Sequence, residues 1–260
     1  MHVLTHPLVP EEIARTMVQC IQEATGDDIR EDLHRSGIRT RISTPTRIWD
    51  YINTGLLNKL ETRDCVVTAK KRGLWELVIV YERSTQCIFT FMREERFRQL
   101  QRDQKKGGHT HYLGIFGESL NADLKTEFPQ TSLFSDTVDE CEDDEELRHK
   151  LKELLFDLGG EAEFVRHHVL VLFEASNFHL SSVRAVMVTP KLEIAQGSEE
   201  DWTKYITIAE SVIVDQVEKP ESPANSPARG LHLRDKARLH KEKKLKTKTK
   251  QPDSNTTEAK

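Results

Sequence analysis

No run of apolar residues in this chain approaches the roughly 20 that a membrane-spanning helix needs; the longest, LVIVY at 77–81 and VLVLF at 169–173, are strand-sized. The opening MHVLTHPLVPEEIARTM lacks a basic flank followed by an apolar stretch and a small-residue cleavage site. No secretory signal is therefore read, and the chain is expected to be soluble and cytoplasmic, with no membrane partner. Cysteine is sparse. Cys20, Cys65, Cys87 and Cys141 are far apart with no CxxC pair, which argues against a zinc ribbon and against a disulfide scaffold. Cys65 and Cys87 are placed to approach each other across a sheet, and the thiols are otherwise expected to be buried and reduced. Walker A, GxGxxG, GxSxG and HExxH strings are all missing, so no nucleotide-binding, serine-hydrolase or zinc-protease signature is present.

What is abundant is charge. Charged residues make up 31% of the 260 positions and hydrophobic ones only 37%, a ratio that predicts an unpacked portion. The net charge of −5 is unevenly spread. Residues 229–260 carry eleven Lys and Arg against four acids, a balance of +7 that leaves −12 on residues 1–228. The segment from Pro220, PESPANSPARG and then LHLRDKARLHKEKKLKTKTK, has too few apolar residues to bury a core. These features divide the chain into a single α+β domain over 1–218, with the acidic stretch near 135–146 as a candidate hinge, and a disordered basic tail over 219–260.

Within the acidic body, residues 10–24 repeat apolar side chains at helical spacing after Pro10 and two glutamates, and Gly26 with Asp27 and Asp28 reads as the stop of that helix. A polar connection, REDLHRSGIRTRIS, leads to a second helix near Pro45 with Ile48, Ile52, Leu56 and Leu60 in a stripe. Three strands follow at 65–71, 75–82 and 87–93. Alternation puts Trp75, Leu77, Ile79 and Tyr81 on one face and groups them with Cys87, Phe89 and Phe91, leaving Val78, Val80, Ile88 and Met92 opposite. Helices are expected at 94–106, around HTHYLGIFGESLNADLK and around EELRHKLKELLFDLGG, and further strands at 165–176, 181–190 and 203–217, with a hairpin turn at NFHL. The expected fold is α+β: a central antiparallel or mixed sheet, a three-stranded meander plus later strands, flanked by helices on both sides.

A helix followed by a meander and another helix is also how the metal-dependent nuclease core of restriction-type enzymes begins. That chemistry needs an acid on one strand and an acid two residues before a lysine on the next, so that carboxylates hold Mg²⁺ while the ammonium assists water. Here Glu76 and Glu82 stand at the two ends of the second strand, and the third, CIFTFMR, has neither acid nor lysine. Asp123-x-Lys125 and Glu242-x-Lys244 match the string but fall in an expected helix and in the tail. No metal or cofactor is expected.

The candidate polar site is composite. TRIWDYINTG gathers Arg47, Trp49, Asp50 and Asn53 near one helix start, with Arg47 and Asp50 at i, i+3 and Trp49 and Asn53 at i, i+4. Trp packing plus a surface Arg–Asp pair explains the same letters. Arg93, Arg96, Arg98, Arg102, Lys105 and Lys106 run toward Gly107 and Gly108, a pattern suited to phosphate but also to a solvated charged helix. His109-x-His111 and the pair His167 and His168 offer imidazoles, yet nothing at recognisable spacing completes a four-ligand set for either, and capping explains them as well.

The segments RIWDYINTGL, GLWELVIVYERSTQCIFTFMRE, HYLGIFGESLN and EDWTKYI together resemble a family of bacterial and phage proteins classed as a domain of unknown function, over residues 44–208. The resemblance implies a bacterial or phage cytosolic origin and carries over no activity, cofactor or catalytic residue.

Three functions fit these observations. The first is a non-enzymatic binding or accessory module whose basic tail, Arg229, Arg234, Lys236, Arg238, Lys241, Lys243, Lys244, Lys246, Lys248 and Lys250, contacts nucleic acid without sequence preference. The second is a metal-dependent nuclease-like or other enzyme on a divergent scaffold, using Glu76, Glu82 or residues 47–53. The third is a protein-interaction factor in which the acidic body and the basic tail bind each other or partners of opposite charge, an acidic protein among them.

Overall fold

The computed structural model describes residues 7–37, 39–72, 75–106, 111–124 and 144–207. Helix α1, Glu11–Thr25, opens with Glu11 and Glu12 in its first turn, where the positive end of the helix dipole favours carboxylates. It buries Ala14, Met17, Val18, Ile21 and Ala24. It ends at Gly26 as expected, and the two acids that follow also start another helix. Asp27 and Asp28 occupy the first turn of α2, Asp27–Ser36, with Ile29 buried, Leu33 packed on the core, and His34 and Arg35 in the last turn. Gly37, at φ 59°, ends α2 in the left-handed conformation that only glycine adopts without cost. The first half of the expected polar connection is thus helical, because a short Ile29/Leu33 stripe is enough to dock a helix whose charges already suit its dipole. Helix α3, Thr44–Leu60, has Pro45 in its first turn and buries Ile48, Ile52, Leu56 and Leu60 as the spacing predicts.

Six strands form one sheet in the order β1 (Cys65–Arg72), β2 (Trp75–Glu82), β3 (Cys87–Arg93), β4 (His167–Ser176), β5 (His179–Met187) and β6 (Glu200–Asp201). Neighbours are antiparallel except β3 and β4, which run parallel. A parallel pair needs a crossover connection. Between β3 and β4 lie α4 (Glu94–Gln104), α5 (Tyr112–Leu120) and α6 (Asp144–Leu155), followed by a 3-10 segment, Phe156–Phe164. The fold is α+β around a mixed sheet.

The register corrects one grouping. Val80, not Ile79, lies opposite Phe89. Val78 and Val80 therefore join Cys87, Phe89 and Phe91 in a layer shared with α1 and α3. Leu77, Ile79 and Tyr81 join Ile88 and Met92 in the layer under α4, α5 and α6. Helices cover both faces, which is why β2 and β3 read as near-continuous apolar runs. Cys65 and Cys87 both register with Glu82 from its two sides. Two strand spacings, about 9.5 Å, separate them, beyond disulfide reach. Cys20, Cys65 and Cys87 are free and buried; burial pushes their thiols up to about 11, 12 and 11, so they stay protonated.

The hairpin expected at NFHL joins β4 to β5 through Asn177 and Phe178, both left-handed at φ 50° and 62°, the two-residue geometry whose twist matches the strands. Gly117 in α5 has a packing role: a Cβ there would lie 2.9 Å from the Thr189 carbonyl oxygen and 3.0 Å from Pro190. The strand expected over 203–217 does not form at its start. Thr203–Tyr205 is a 3-10 turn, held by Thr203 against Asp201 and Val183, and residues from 208 onward lie outside the described part. The candidate hinge lies outside it up to residue 143, while α6 begins at Asp144.

Candidate functional site

The two acids of the second strand stand apart, each in its own setting. Glu82 is 1% exposed at the end of β2, and its carboxylate accepts hydrogen bonds from the amides of Ser84 (2.8 Å) and Thr85 (2.7 Å) and from the Thr85 hydroxyl (2.6 Å). Burial alone would raise its pKa, but the Thr85 and Ser84 hydrogen bonds outweigh it and hold the group below the usual carboxylate range. Glu82 therefore closes the 83–86 turn. Glu76 is exposed at the other end of the strand, opposite Lys71. Six residues of strand put the two carboxylates about 20 Å apart, too far to share an ion. Among the described residues no three His, Cys, Asp or Glu side chains converge as a metal set would.

The composite polar site comes together only in part. Arg47 bonds Asp32 on α2 rather than Asp50, so the i, i+3 surface pair is not made and Asp50 is left exposed. The geometry favours Asp32 because α2 packs beside the first turns of α3. Asn53 is half-buried. His111 is the N-cap of α5: its Nδ1 accepts from the Leu113 amide (3.3 Å) and its ring lies tilted against Tyr112 with centroids 4.3 Å apart. His109, Gly107, Gly108 and the ten tail cations lie outside the described residues. His167 and His168 are consecutive on a strand and point to opposite faces, so they cannot share a metal; His167 meets the Leu120 carbonyl oxygen at 3.1 Å.

Trp49 and Arg93, by contrast, converge on one ring. Trp49 packs edge-on against Phe173 with centroids 5.6 Å apart, and the Arg93 guanidinium carbon lies 5.7 Å from the same centroid. Arg93 ends β3 and registers with Phe173 on the parallel strand β4, so the sheet itself sets this contact. Three arginines with described side chains are partly buried. Arg47 has Asp32, and Arg184 has Glu94 and Glu199. Arg93 has no hydrogen-bonded or ion-paired partner among the described residues. Burial lowers its pKa, partly offset by the charge of Glu95; a guanidinium stays ionised regardless. The result is a cation drawn partly out of water against aromatic carbon, its donor fork unmatched by any acceptor among the described residues.

Two further polar centres carry no sequence motif. Glu94, 5% exposed at the start of α4, takes a two-pronged contact from Arg184 (2.6 and 3.1 Å) and one from Arg98 (3.2 Å), while Arg184 also reaches Glu199 at 2.8 Å. This network ties α4 to β5. On the same face His168 is fully buried. Its Nε2 lies 2.8 Å from the Thr90 hydroxyl, its ring stacks on Phe116 at 4.6 Å, and Nδ1 has no partner. Asn121 clamps the local backbone, accepting from the His168 amide and donating to the carbonyls of His168 and Val188. Burial pushes the imidazole down to about 3, so it is neutral. The only hint in the sequence was a polar residue at the start of an otherwise apolar strand.

Residues 7–251 match a family of unknown function, DUF5986. The chain belongs to that family. The match reaches well past the 44–208 span of the expected resemblance, at its end taking in the basic stretch 229–250. No curated protein and no solved structure is similar enough to add a relative. No helix among the described residues is long and apolar enough to cross a membrane.

Proposed function

We propose that this member of the family is a binding or accessory module without catalytic activity, in which the folded body is carried onto nucleic acid by the basic tail. The observation that carries the reading is the separation of charge: +7 over residues 229–260 against −12 over the rest. A polyanion is drawn to the tail and repelled by the body, so contact is made where the cations are dense, through release of counterions and without base readout. The extent of the family match supports the tail as a shared part of the family, since it runs through every cation of 229–250. The buried Glu82, already holding three donors, and the distant Glu76 favour this reading over nuclease chemistry on the meander. The bacterial or phage cytosol implied by the resemblance is adopted with it.

Fluorescence anisotropy with a labelled 20-base-pair duplex at 50 mM salt tests the proposal. Binding by the whole chain that disappears on removal of residues 220–260 supports it. Undiminished binding by the shortened chain overturns it.

A further inference from the structure

The folded body contains one feature that the tail does not explain. Among the described residues Arg93 is the partly buried arginine without a carboxylate partner, whereas the comparable Arg47 and Arg184 are both paired. The guanidinium rests on Phe173, and Trp49 braces that ring from the α3 side. The other cations of 93–106 are different in kind. Arg98 is committed to Glu94 and Glu174, and Arg96 reaches Gln99 on an exposed helix face. Arg93 alone is held by the sheet, at the carboxyl end of the parallel pair β3 and β4, the end at which sheets with parallel strands present their ligands.

We propose that Arg93, seated on Phe173 beside Trp49, is an oxyanion anchor of the body that takes a phosphate group, either a diester of a nucleic-acid strand or a free phosphate. The planar fork offers two parallel N–H donors to two phosphate oxygens, and the ring beneath it fixes the plane of the fork before binding. The half-buried indole of Trp49 adds an aromatic edge beside the phosphate, the pairing that single-strand binders use for backbone and base together. Glu95 on α4 is the opposing charge felt at Arg93, and its carboxylate works against any anion held there, so the fork and its ring must supply the attraction. The nucleic-acid form of the proposal rests on the tail reading, because a strand held by the tail is presented to the body at high local concentration. The free-phosphate form does not.

The test uses the whole chain, the variants Arg93→Lys and Arg93→Gln, and NMR observation of the arginine Nε–Hε signals, with the Arg93 signal assigned by its loss in the variants. Pyrophosphate at millimolar concentration is expected to shift that signal, and Arg93→Lys, which keeps the charge but loses the fork, is expected to weaken pyrophosphate binding about tenfold or more. A labelled oligo-dT strand distinguishes the source. If the nucleic-acid form holds, Arg93→Gln lowers affinity severalfold and makes the slope of log K against log salt shallower by about 0.7, one single-strand phosphate contact. An unchanged slope together with a pyrophosphate response assigns the site to free phosphate. An Arg93 signal unmoved by pyrophosphate, or moved equally by acetate, overturns the proposal even if the chain binds DNA through its tail. A pyrophosphate response in a chain that binds no DNA keeps the anchor and removes the tail reading. Arg93→Lys serves where Arg93→Gln does not fold.

Discussion

Acidification probes the polar centre under α5 directly, because burial keeps the His168 imidazole neutral at pH values where an unfolded chain would protonate it. Burial holds its imidazole at about 3, against about 6.5 in an unfolded chain. Between those values the unfolded chain binds a proton that the folded chain refuses. Stability contributed by the neutral imidazole is therefore complete above pH 6.5 and is lost as the pH falls toward 3, at about 1.36 kcal/mol per unit. Lowering the pH from 7.5 to 5.0 crosses about 1.5 units of that window and should cost about 2 kcal/mol from this one group. Nothing among the described residues offsets the loss: Nδ1 has no hydrogen-bond partner there, and Nε2 faces the neutral Thr90 hydroxyl. The assay is urea unfolding at half-unit steps from pH 7.5 to 5.0, run in parallel on His168→Gln, which keeps a polar side chain beside Thr90 but cannot titrate. The difference between the two pH profiles isolates the histidine from the other titrating groups. Parallel profiles, or an NMR titration showing the His168 ring protonated above pH 5, would refute the reasoning.

Glu82→Ala leaves the amides of Ser84 and Thr85 and the Thr85 hydroxyl without their acceptor in a buried turn, a loss of about 2–4 kcal/mol in urea unfolding. Faster amide exchange at both residues should accompany it, and a change under about 0.5 kcal/mol would contradict the turn-closing role. Gly117→Ala should destabilise by about 1–3 kcal/mol although alanine favours helix, since the new methyl meets backbone atoms at Thr189 and Pro190 that have no rotamer to yield. A rise in melting temperature would mean that α5 is not seated as closely as described.

Patterns with a short period were legible before the fold was known. Alternation marked β2 and β3 as strands, the Ile48/Ile52/Leu56/Leu60 stripe marked α3, and the NFHL break between two β-rich runs marked the β4–β5 hairpin, whose turn is shorter than that break. The face shared between β2 and β3 was not legible, because the register is set by the 83–86 turn, where Gln86 takes φ 56° and Glu82 gathers the turn donors. Alternation is blind to a shift of one residue across such a turn. Helix α2 was missed for a related reason: Asp27 and Asp28 signal a helix start as well as a stop, and only burial of Ile29 decides between them. The site followed the same division. Trp49 and Arg93 could each be singled out by type, but their meeting on Phe173 depends on the parallel pairing of β3 with β4, a contact between segments far apart in the chain. His168 showed still less, since a histidine in an apolar strand has the same letter whether it faces solvent or the core.

The most direct test of the tail's role is the slope of log affinity against log salt for duplex DNA, measured on the intact chain and on a chain whose ten tail cations from Arg229 to Lys250 are replaced by glutamine. The intact chain is expected to give a slope of about −5 to −9, as for six to ten phosphate contacts, and the neutralised chain to bind too weakly for a slope to be drawn. Equal affinity and equal slope for the two chains would contradict the claim that the tail carries this protein onto nucleic acid.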